Sequence, residues 1–187
     1  EVCLAIASGV AAAVPEATVD IVPMADGGDG TVAAVLASSR ARAVDVTVSG
    51  PLGQAVEAQF AYMDQNGTAV IEMATASGLT LLGAAERDPL RTCTFGTGQL
   101  ILRALDLGCR RLIIGIGGSA TNDGGAGMAR ALGVRFLDEM GRELPPGGAA
   151  LARLDRIDLG GLDQRLAACR IDVACDEIGR ASCRERV

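Results

Sequence analysis

The residues best suited to chemistry lie in the glycine-rich segment 115–127, GIGGSATNDGGAG. Glycine permits close backbone approach, so several N–H groups can converge on one anion, and a following helix adds its N-terminal partial positive charge. The hydroxyl and amide groups between the glycines can hold phosphate or substrate oxygens. The predicted substrate and phosphate contacts are Gly117, Gly118, Ser119, Thr121, Asn122, Gly124 and Gly125. Asp123 can accept a proton or bind Mg²⁺, which makes it a catalytic and a metal candidate.

The same segment allows other interpretations. Gly115-x-Gly117-x-x-Ala120 satisfies a loose dinucleotide fingerprint, and Asp138 follows the predicted strand Val134–Leu137, where a ribose-binding acid would lie. That pattern is typical of an NAD(P)-dependent oxidoreductase of the Rossmann type. It does not explain the polar residues that follow, because the helix there is normally apolar and regular. A non-catalytic anion-binding domain, or a capped strand-to-helix turn, is the remaining alternative.

A second candidate segment is 23–31, PMADGGDGT, which also follows a predicted strand and opens a predicted helix. Its glycine bend could present Asp26 to a metal or to a substrate hydroxyl, so Asp26 is a catalytic and a metal candidate. Asp29 or Thr31 would cap the helix. The alternative is a doubly capped turn without chemistry.

Two smaller sites complete the candidates. The segment 95–98, FGTG, opens a predicted helix, and Thr97 and Gly98 there are either part of a capping turn or a second anion contact. Asp176 follows the predicted strand Ile171–Cys175, at the end of a strand where open α/β sheets place ligand groups, and is a further metal candidate.

Alternating helices and strands must position these segments. The predicted helices are Leu4–Val14, Gly30–Ser38, Gly98–Leu107 and Asn122–Leu132. The predicted strands are Ala17–Val22, Ala43–Val48, Val56–Met63, Ala69–Met73, Arg111–Ile116, Val134–Leu137 and Ile171–Cys175. Asp64–Gly67 is a hairpin signal, so the first half has antiparallel character. Residues 111–137 are predicted to form a βαβ unit of a doubly wound parallel sheet. The change near residue 90 predicts two parts of an α/β fold, 1–90 and 91–176, the second carrying the glycine-rich loop.

Composition excludes several classes of function. The net charge of −6 argues against nucleic-acid and anionic-membrane partners, which need clustered positive charge. No apolar run reaches the roughly 18–20 residues of a membrane span. The chain has six scattered cysteines and no histidine, which argues against a zinc site and a Ser-His-Asp mechanism and favours reduced cytoplasmic thiols.

The two ends of the sequence have unusual features. The chain begins at Glu1 directly in a helical pattern, which predicts that a preceding segment is missing. Residues 177–187, EIGRASCRERV, have a composition unlike the rest, and they translate a DNA string that resembles a common short-read sequencing adapter; a natural arginine-rich tail is the alternative. We therefore expect the genuine sequence to end at Asp176.

Taken together, the motifs PMADGGDGT, GPLG, AVIEMATASGL, FGTGQL and GIGGSATNDGGAGM resemble the glycerate kinase family, which phosphorylates D-glycerate with ATP. The last motif is close to diagnostic, and the ordered set covers nearly all of residues 1–176. The resemblance implies ATP as co-substrate, Mg²⁺, and an incomplete two-domain fold with a Rossmann- or flavodoxin-like parallel sheet and an active site between the domains. It further implies that a lysine-bearing phosphate loop and the C-terminal half lie outside this sequence, so the chain alone should be inactive. The product, 2- or 3-phosphoglycerate, and the oligomeric state stay open.

Overall fold

The structure, a computed structural model, describes residues 2–22 and 24–175. Its helices are α1 (Val2–Ala13), α2 (Thr31–Ser38), α3 (Ala74–Ser77), α4 (Phe95–Asp106) and α5 (Ala126–Ala131). Its strands are β1 (Arg42–Ser49), β2 (Ala55–Met63), β3 (Thr68–Glu72), β4 (Arg111–Gly115), β5 (Arg135–Leu137), β6 (Arg156–Asp158) and β7 (Arg170–Ala174). Short 3₁₀ helices lie at Leu79–Leu81, Ala84–Glu86, Gly148–Arg153 and Gln164–Ala168. The predictions for Asp176 and for 177–187 fall outside the described residues.

A five-stranded mixed sheet in the order β1-β2-β3-β4-β7 forms the centre of the fold. Strands β1, β2 and β3 pair antiparallel, while β3, β4 and β7 run parallel. The predicted hairpin at Asp64–Gly67 joins β2 to β3, and Gly67 takes the positive φ of 60° that the turn needs. The α/β fold class is therefore confirmed. Strands from both sides of residue 90 share this sheet.

Helices cover both faces of the sheet. Alternation along β2 and β3 sends Phe60 and Ile71 to one face and Ala61 and Val70 to the other. On the first face they pack with α4, whose buried residues recur at helical spacing: Thr97, Leu100, Ile101, Ala104 and Leu105. On the second face α2 covers the sheet through Val32. This layering leaves the strand ends free to carry a site.

Two of the predicted strands differ from the structure, one in its existence and one in its pairing. Residues 17–22 form no strand, because β-branched residues favour an extended backbone but do not supply a neighbouring strand. The predicted βαβ unit over 111–137 is wrong, since β5 pairs antiparallel with β6 in a separate two-stranded sheet. A short apolar run has the same pattern in either sheet, so periodicity does not identify its partner. The parallel neighbours of β4 are β3 and β7.

The helix after the glycine-rich loop is shorter than predicted. Helix α5 begins at Ala126 and not at Asn122, because Gly124 and Gly125 have φ angles of 59° and 76°, outside the range of a right-handed helix. The predicted first helix is confirmed as α1, which buries no residue. In the described part of the chain, no helix is long and apolar enough to cross a membrane.

Candidate active site at the carboxyl edge of the parallel strands

The glycine-rich loop begins where the parallel strands end. Strand β4 ends at Gly115, beside the ends of β3 and β7. The backbone N–H of Met73 donates to the carbonyl of Gly115 at 3.0 Å, and the N–H of Ile116 donates to the carbonyl of Ala174 at 3.2 Å. Open α/β sheets bind ligands at this carboxyl edge. The loop is therefore fixed at the position where a ligand is expected.

The segment 26–30 lies directly on the start of this loop. The N–H of Gly117 donates to the carbonyl of Gly27 at 3.2 Å. A Cβ atom on Gly117 would lie 2.6 Å from Cα of Gly28, and one on Gly115 would lie 2.4 Å from the carbonyl oxygen of Gly27. Both glycines are thus required by backbone packing, and the N–H of Gly117 is already occupied. The structure favours a packing role over the predicted phosphate contact for Gly117.

This packing also argues against the dinucleotide interpretation. A pyrophosphate would have to approach the fingerprint glycines Gly115 and Gly117, and the backbone of Gly27 and Gly28 occupies that space. Asp138 follows β5, which is not part of the five-stranded sheet, so it does not lie at the carboxyl edge of the parallel strands. The geometry of a Rossmann nucleotide site is absent from these residues.

A third segment, the chain that follows β3, holds the other side of the loop. The N–H of Leu79 donates to the carbonyl of Gly118 at 2.9 Å, and the N–H of Ala120 donates to the carbonyl of Ser77 at 2.9 Å. Gly118 takes a positive φ of 70° at this point. The structure therefore brings together three of the motifs singled out in the sequence, which are far apart along the chain.

A cavity of about 350 Å³ opens over the loop, a size within the range of small-molecule sites. Its polar lining comes from the loop and from the start of α4: Thr94, Thr97, Ser119, Thr121, Asn122, Asp123, Gly124 and Gly125. Most of the predicted contacts therefore share one cavity. Gly98 does not line it, because this glycine packs against α5, where a Cβ would lie 2.4 Å from the carbonyl oxygen of Met128. Gly98 allows close helix packing and is no anion contact in this arrangement.

Ser119, Thr121 and Asn122 are the accessible polar groups of the loop. The hydroxyls of Ser119 and Thr121 lie 2.9 Å apart, and the N–H of Thr121 donates to Oγ of Ser119 at 3.1 Å. Ser119 and Asn122 are exposed and Thr121 is half-buried. Hydroxyl and amide donors preset in this way can bind phosphate or carboxylate oxygens. Thr97 is deeper, and its hydroxyl lies 2.8 Å from that of Ser77.

Asp123 is placed differently from these neighbours. It is only 2% exposed, and its carboxylate accepts hydrogen bonds from the N–H groups of Thr94, Gly125 and Gly127 at 2.9–3.0 Å. Its partners are thus all internal to the protein. Cys93 lies beside it, and burial, with the nearby Asp123 charge, raises the pKa of the Cys93 thiol. A neutral thiol is a poor nucleophile, so Cys93 is not a candidate for covalent catalysis.

Asp26 is exposed and lies in the turn that packs on the start of the loop, but it does not line the cavity over the loop. One of its oxygens accepts the N–H of Gly28 at 3.1 Å, which shapes the turn. Asp29 is exposed as well, and its carboxylate lies near Gly118, where an added Cβ would be 3.2 Å from Oδ1. Within the described ranges, no group of three or more acidic, cysteine or histidine side chains could enclose a metal. Mg²⁺ is commonly held by one or two carboxylates together with phosphate oxygens, so this donor set fits Mg²⁺ that arrives with a nucleotide.

Glu72 supports the site from outside the cavity and was not singled out in the sequence. It ends β3, is buried, and its carboxylate accepts the N–H of Val32 in the first turn of α2. It thereby ties the start of the helix that follows the Asp26 turn to the sheet. An acidic residue at the end of an otherwise apolar strand was the signal that could have identified it, since buried carboxylates need partners.

The fold and the site define an α/β protein that presents hydroxyl and amide groups of a glycine-rich loop at the carboxyl edge of its sheet. The sequence model of the Glycerate kinase family matches residues 1–178. The chain belongs to this family.

Relatives and a solved structure agree with this membership. The chain is 53% identical over 176 residues to the glycerate kinase of Bacillus subtilis (strain 168), covering 94% of this chain and 46% of that protein. It is 51% identical over 176 residues to the glycerate 2-kinase of Escherichia coli (strain K12), covering 94% of this chain and 46% of that protein. The crystal structure of putative glycerate kinase 2 from Salmonella typhimurium LT2 matches with a TM-score of 0.81 at 51% identity, over 92% of this chain and 47% of that one. The chain thus spans about half the length of these relatives.

Proposed function

We propose that the whole protein is a glycerate kinase, which transfers a phosphoryl group from ATP to a hydroxyl of D-glycerate and forms phosphoglycerate. The observation that carries this proposal is the set of donors from Ser119, Thr121 and Asn122, which line one cavity at the carboxyl edge in a chain that belongs to this family. Phosphoryl transfer depends mainly on positioning and charge stabilisation, which such a loop supplies. The name of the Escherichia coli relative favours the 2-hydroxyl as the acceptor.

The exposure of each residue indicates the role that it would have in the reaction. Ser119, Thr121 and Asn122 would donate hydrogen bonds to phosphate or glycerate oxygens and hold them in line for transfer. Asp26 is an exposed carboxylate in the turn that packs on the loop, and it would orient or deprotonate the attacking hydroxyl, or help to hold Mg²⁺. When bound, Mg²⁺ would neutralise charge on the phosphate oxygens. Asp176 stays a further prediction for metal binding.

The family relationship also supports three wider proposals. ATP and glycerate are the expected small-molecule partners, and the cytoplasm is the expected compartment. The whole protein would hold its active site in a cleft between two α/β domains, of which this chain supplies one wall. A division near residue 90 stays a prediction, and the sheet shared by strands from both sides of that residue weighs against it.

The proposal is tested with the full-length protein, D-glycerate and Mg-ATP, by following ADP release. Conversion of the product by enolase identifies 2-phosphoglycerate directly, since 3-phosphoglycerate is no substrate for that enzyme. Asn122→Ala should lower kcat/KM for glycerate or ATP by about 10- to 100-fold, the loss expected for one hydrogen bond made to a charged group. Gln65→Ala is the matched control, because Gln65 is an exposed residue of the turn between β2 and β3 and does not line the cavity. This variant should leave the rate unchanged. Absence of glycerate-dependent ADP release, together with tight NADH binding, would refute the proposal.

A further inference from the structure

Resting on the proposed phosphoryl transfer, we propose that Asp123 and Thr94 are positioning residues of this reaction. They form a buried pair that fixes the glycine-rich loop to the start of α4 and so orients Ser119 and Asn122. This assignment replaces the base and metal roles that the sequence suggested for Asp123. It adds Thr94, which no motif had marked.

The hydrogen bonds of the Asp123 carboxylate are made to donors inside the protein, although the residue borders the cavity over the loop. Oδ2 accepts the N–H of Thr94 at 2.9 Å and the N–H of Gly127 at 3.0 Å, while Oδ1 accepts the N–H of Gly125 at 3.0 Å. The Thr94 hydroxyl lies 2.9 Å from Oδ2 and 3.1 Å from Oδ1. A carboxylate has about four lone-pair sites, and these four internal donors occupy them.

The burial of Asp123 also argues against a role as general base or metal ligand. A general base must reach the proton that it removes, within roughly 2.6–3.2 Å or through one water. A metal ligand must likewise turn an oxygen toward the ion. Asp123 is 2% exposed and its oxygens point to backbone N–H groups, so neither role is served by this geometry.

Thr94 completes the pair and extends it to α5. Its hydroxyl donates to Asp123 and accepts the N–H of Met128 at 2.9 Å, so both of its hydrogen-bonding functions are engaged. Thr94 itself is 5% exposed. Gly127 permits the close contact, because a Cβ there would lie 2.3 Å from Sγ of Cys93 and 2.8 Å from Oδ2 of Asp123. The pair therefore joins the loop, the start of α4 and the first turn of α5.

The orientation of the donors follows from this connection. Thr121 and Asn122 lie between the attachment of Ala120 to Ser77 and the attachment at Asp123. Ser119 precedes Ala120, and its hydroxyl lies 2.9 Å from that of Thr121, so its orientation depends on the same segment. If the second attachment loosens, the donors keep their chemistry but lose their fixed direction. Misplacement by about 1 Å can reduce a rate by about 100-fold.

A double-mutant cycle in the full-length protein tests the pair. Thr94→Val removes the hydroxyl at nearly constant volume, Thr94→Ser keeps it, and Asp123→Asn keeps the shape of the side chain but removes its charge. We expect Thr94→Val and Asp123→Asn each to lower kcat by about 10- to 100-fold. The double variant should lose little more than the worse single variant, because both changes break one unit. Thr94→Ser should stay within about threefold of the parent, and the exposed Thr47→Val is the matched control.

Further readouts separate positioning from direct chemistry. The Mg²⁺ concentration for half-maximal rate and the acid limb of the pH–rate profile should be the same in Thr94→Val, Asp123→Asn and the parent. A raised Mg²⁺ requirement or a displaced acid limb in Asp123→Asn alone would overturn the proposal. So would an inactive Asp123→Asn beside a fully active Thr94→Val.

Hydrogen exchange of the peptide 119–128 keeps the test independent of turnover. Exchange should accelerate in Thr94→Val and Asp123→Asn and stay at the parent rate in Thr94→Ser and Thr47→Val. If the parent protein shows no glycerate-dependent ADP release, the proposed function fails, while this exchange pattern still decides whether the pair fixes the loop. Unchanged exchange in Thr94→Val would refute the pair itself.

Discussion

Loss of the Glu72 carboxylate should destabilise the start of α2 and the Asp26 turn that precedes it. It is 6% exposed and accepts the N–H of Val32, at the start of the helix that covers the second face of the sheet. Glu72→Ala would leave that buried N–H without its charged acceptor. It would also remove a negative charge from the N-terminus of α2.

The expected magnitude follows from these two contacts. A hydrogen bond to a charged group contributes about 1.5–3 kcal/mol, and a carboxylate at a helix N-terminus adds about 0.3–1 kcal/mol. Glu72→Ala should therefore cost about 2–4 kcal/mol of local stability. Glu72→Gln keeps an acceptor oxygen and loses only the charge, so it should cost about 1 kcal/mol.

Hydrogen exchange of the peptide 32–38, followed by mass spectrometry in the full-length protein, measures this loss. Since about 1.4 kcal/mol corresponds to a tenfold change in an equilibrium, Glu72→Ala should accelerate exchange by roughly 30-fold or more where opening limits it. Exchange in the α4 peptide 95–106 should change much less. The exposed Glu139→Ala is the matched control. An α2 peptide that exchanges equally fast in the parent and in Glu72→Ala would refute the stabilising role given to the Glu72 carboxylate.

Two further predictions concern packing and thiol chemistry. Gly117→Ala would place a Cβ 2.6 Å from Cα of Gly28, and it should destabilise the protein by about 1–3 kcal/mol in urea unfolding. Gly9→Ala, which meets nothing within 4 Å, should be neutral or stabilising, and equal stability of the two variants would contradict the packing argument. Burial raises the pKa of the Cys93 and Cys109 thiols, so both stay protonated and unreactive near pH 8, while the exposed Cys3 is alkylated first by iodoacetamide. Peptide mass spectrometry measures the order, and equal labelling of the three in the native protein would contradict it.

The long, periodic elements were predictable because their patterns are local. Strands β2 and β4 and helix α4 carry enough apolar residues at the right spacing to define their type and approximate ends. The pairing of β5 was not predictable, since a three-residue apolar strand fits any sheet that offers a partner. Residues 17–22 show the converse, because strand propensity alone formed no ladder.

The glycine-rich loop shows what can and what cannot be predicted from residue types alone. Its composition correctly indicated a place where backbone comes close to something and polar groups gather. The composition does not say what comes close. In the structure the neighbour of Gly115 and Gly117 is the Gly27–Gly28 backbone, while Ser119 and Asn122 stay accessible.

The sequence by itself determined the family, the α/β class and the set of polar residues from which a phosphate site could be made, because these depend on residue identity and local order. Only the tertiary structure decided which of those residues face a ligand. Asp26 and Asp123 have the same carboxyl group and the same glycine-rich surroundings, yet one is exposed and the other is enclosed by Thr94, Gly125 and Gly127. The physical reason is that Thr94, 29 residues away along the chain, reaches Asp123 only in the folded protein, whereas Gly125 and Gly127 are its neighbours in sequence. Burial and partners of this distant kind cannot be inferred from local sequence, and they determine whether a carboxylate is available for chemistry.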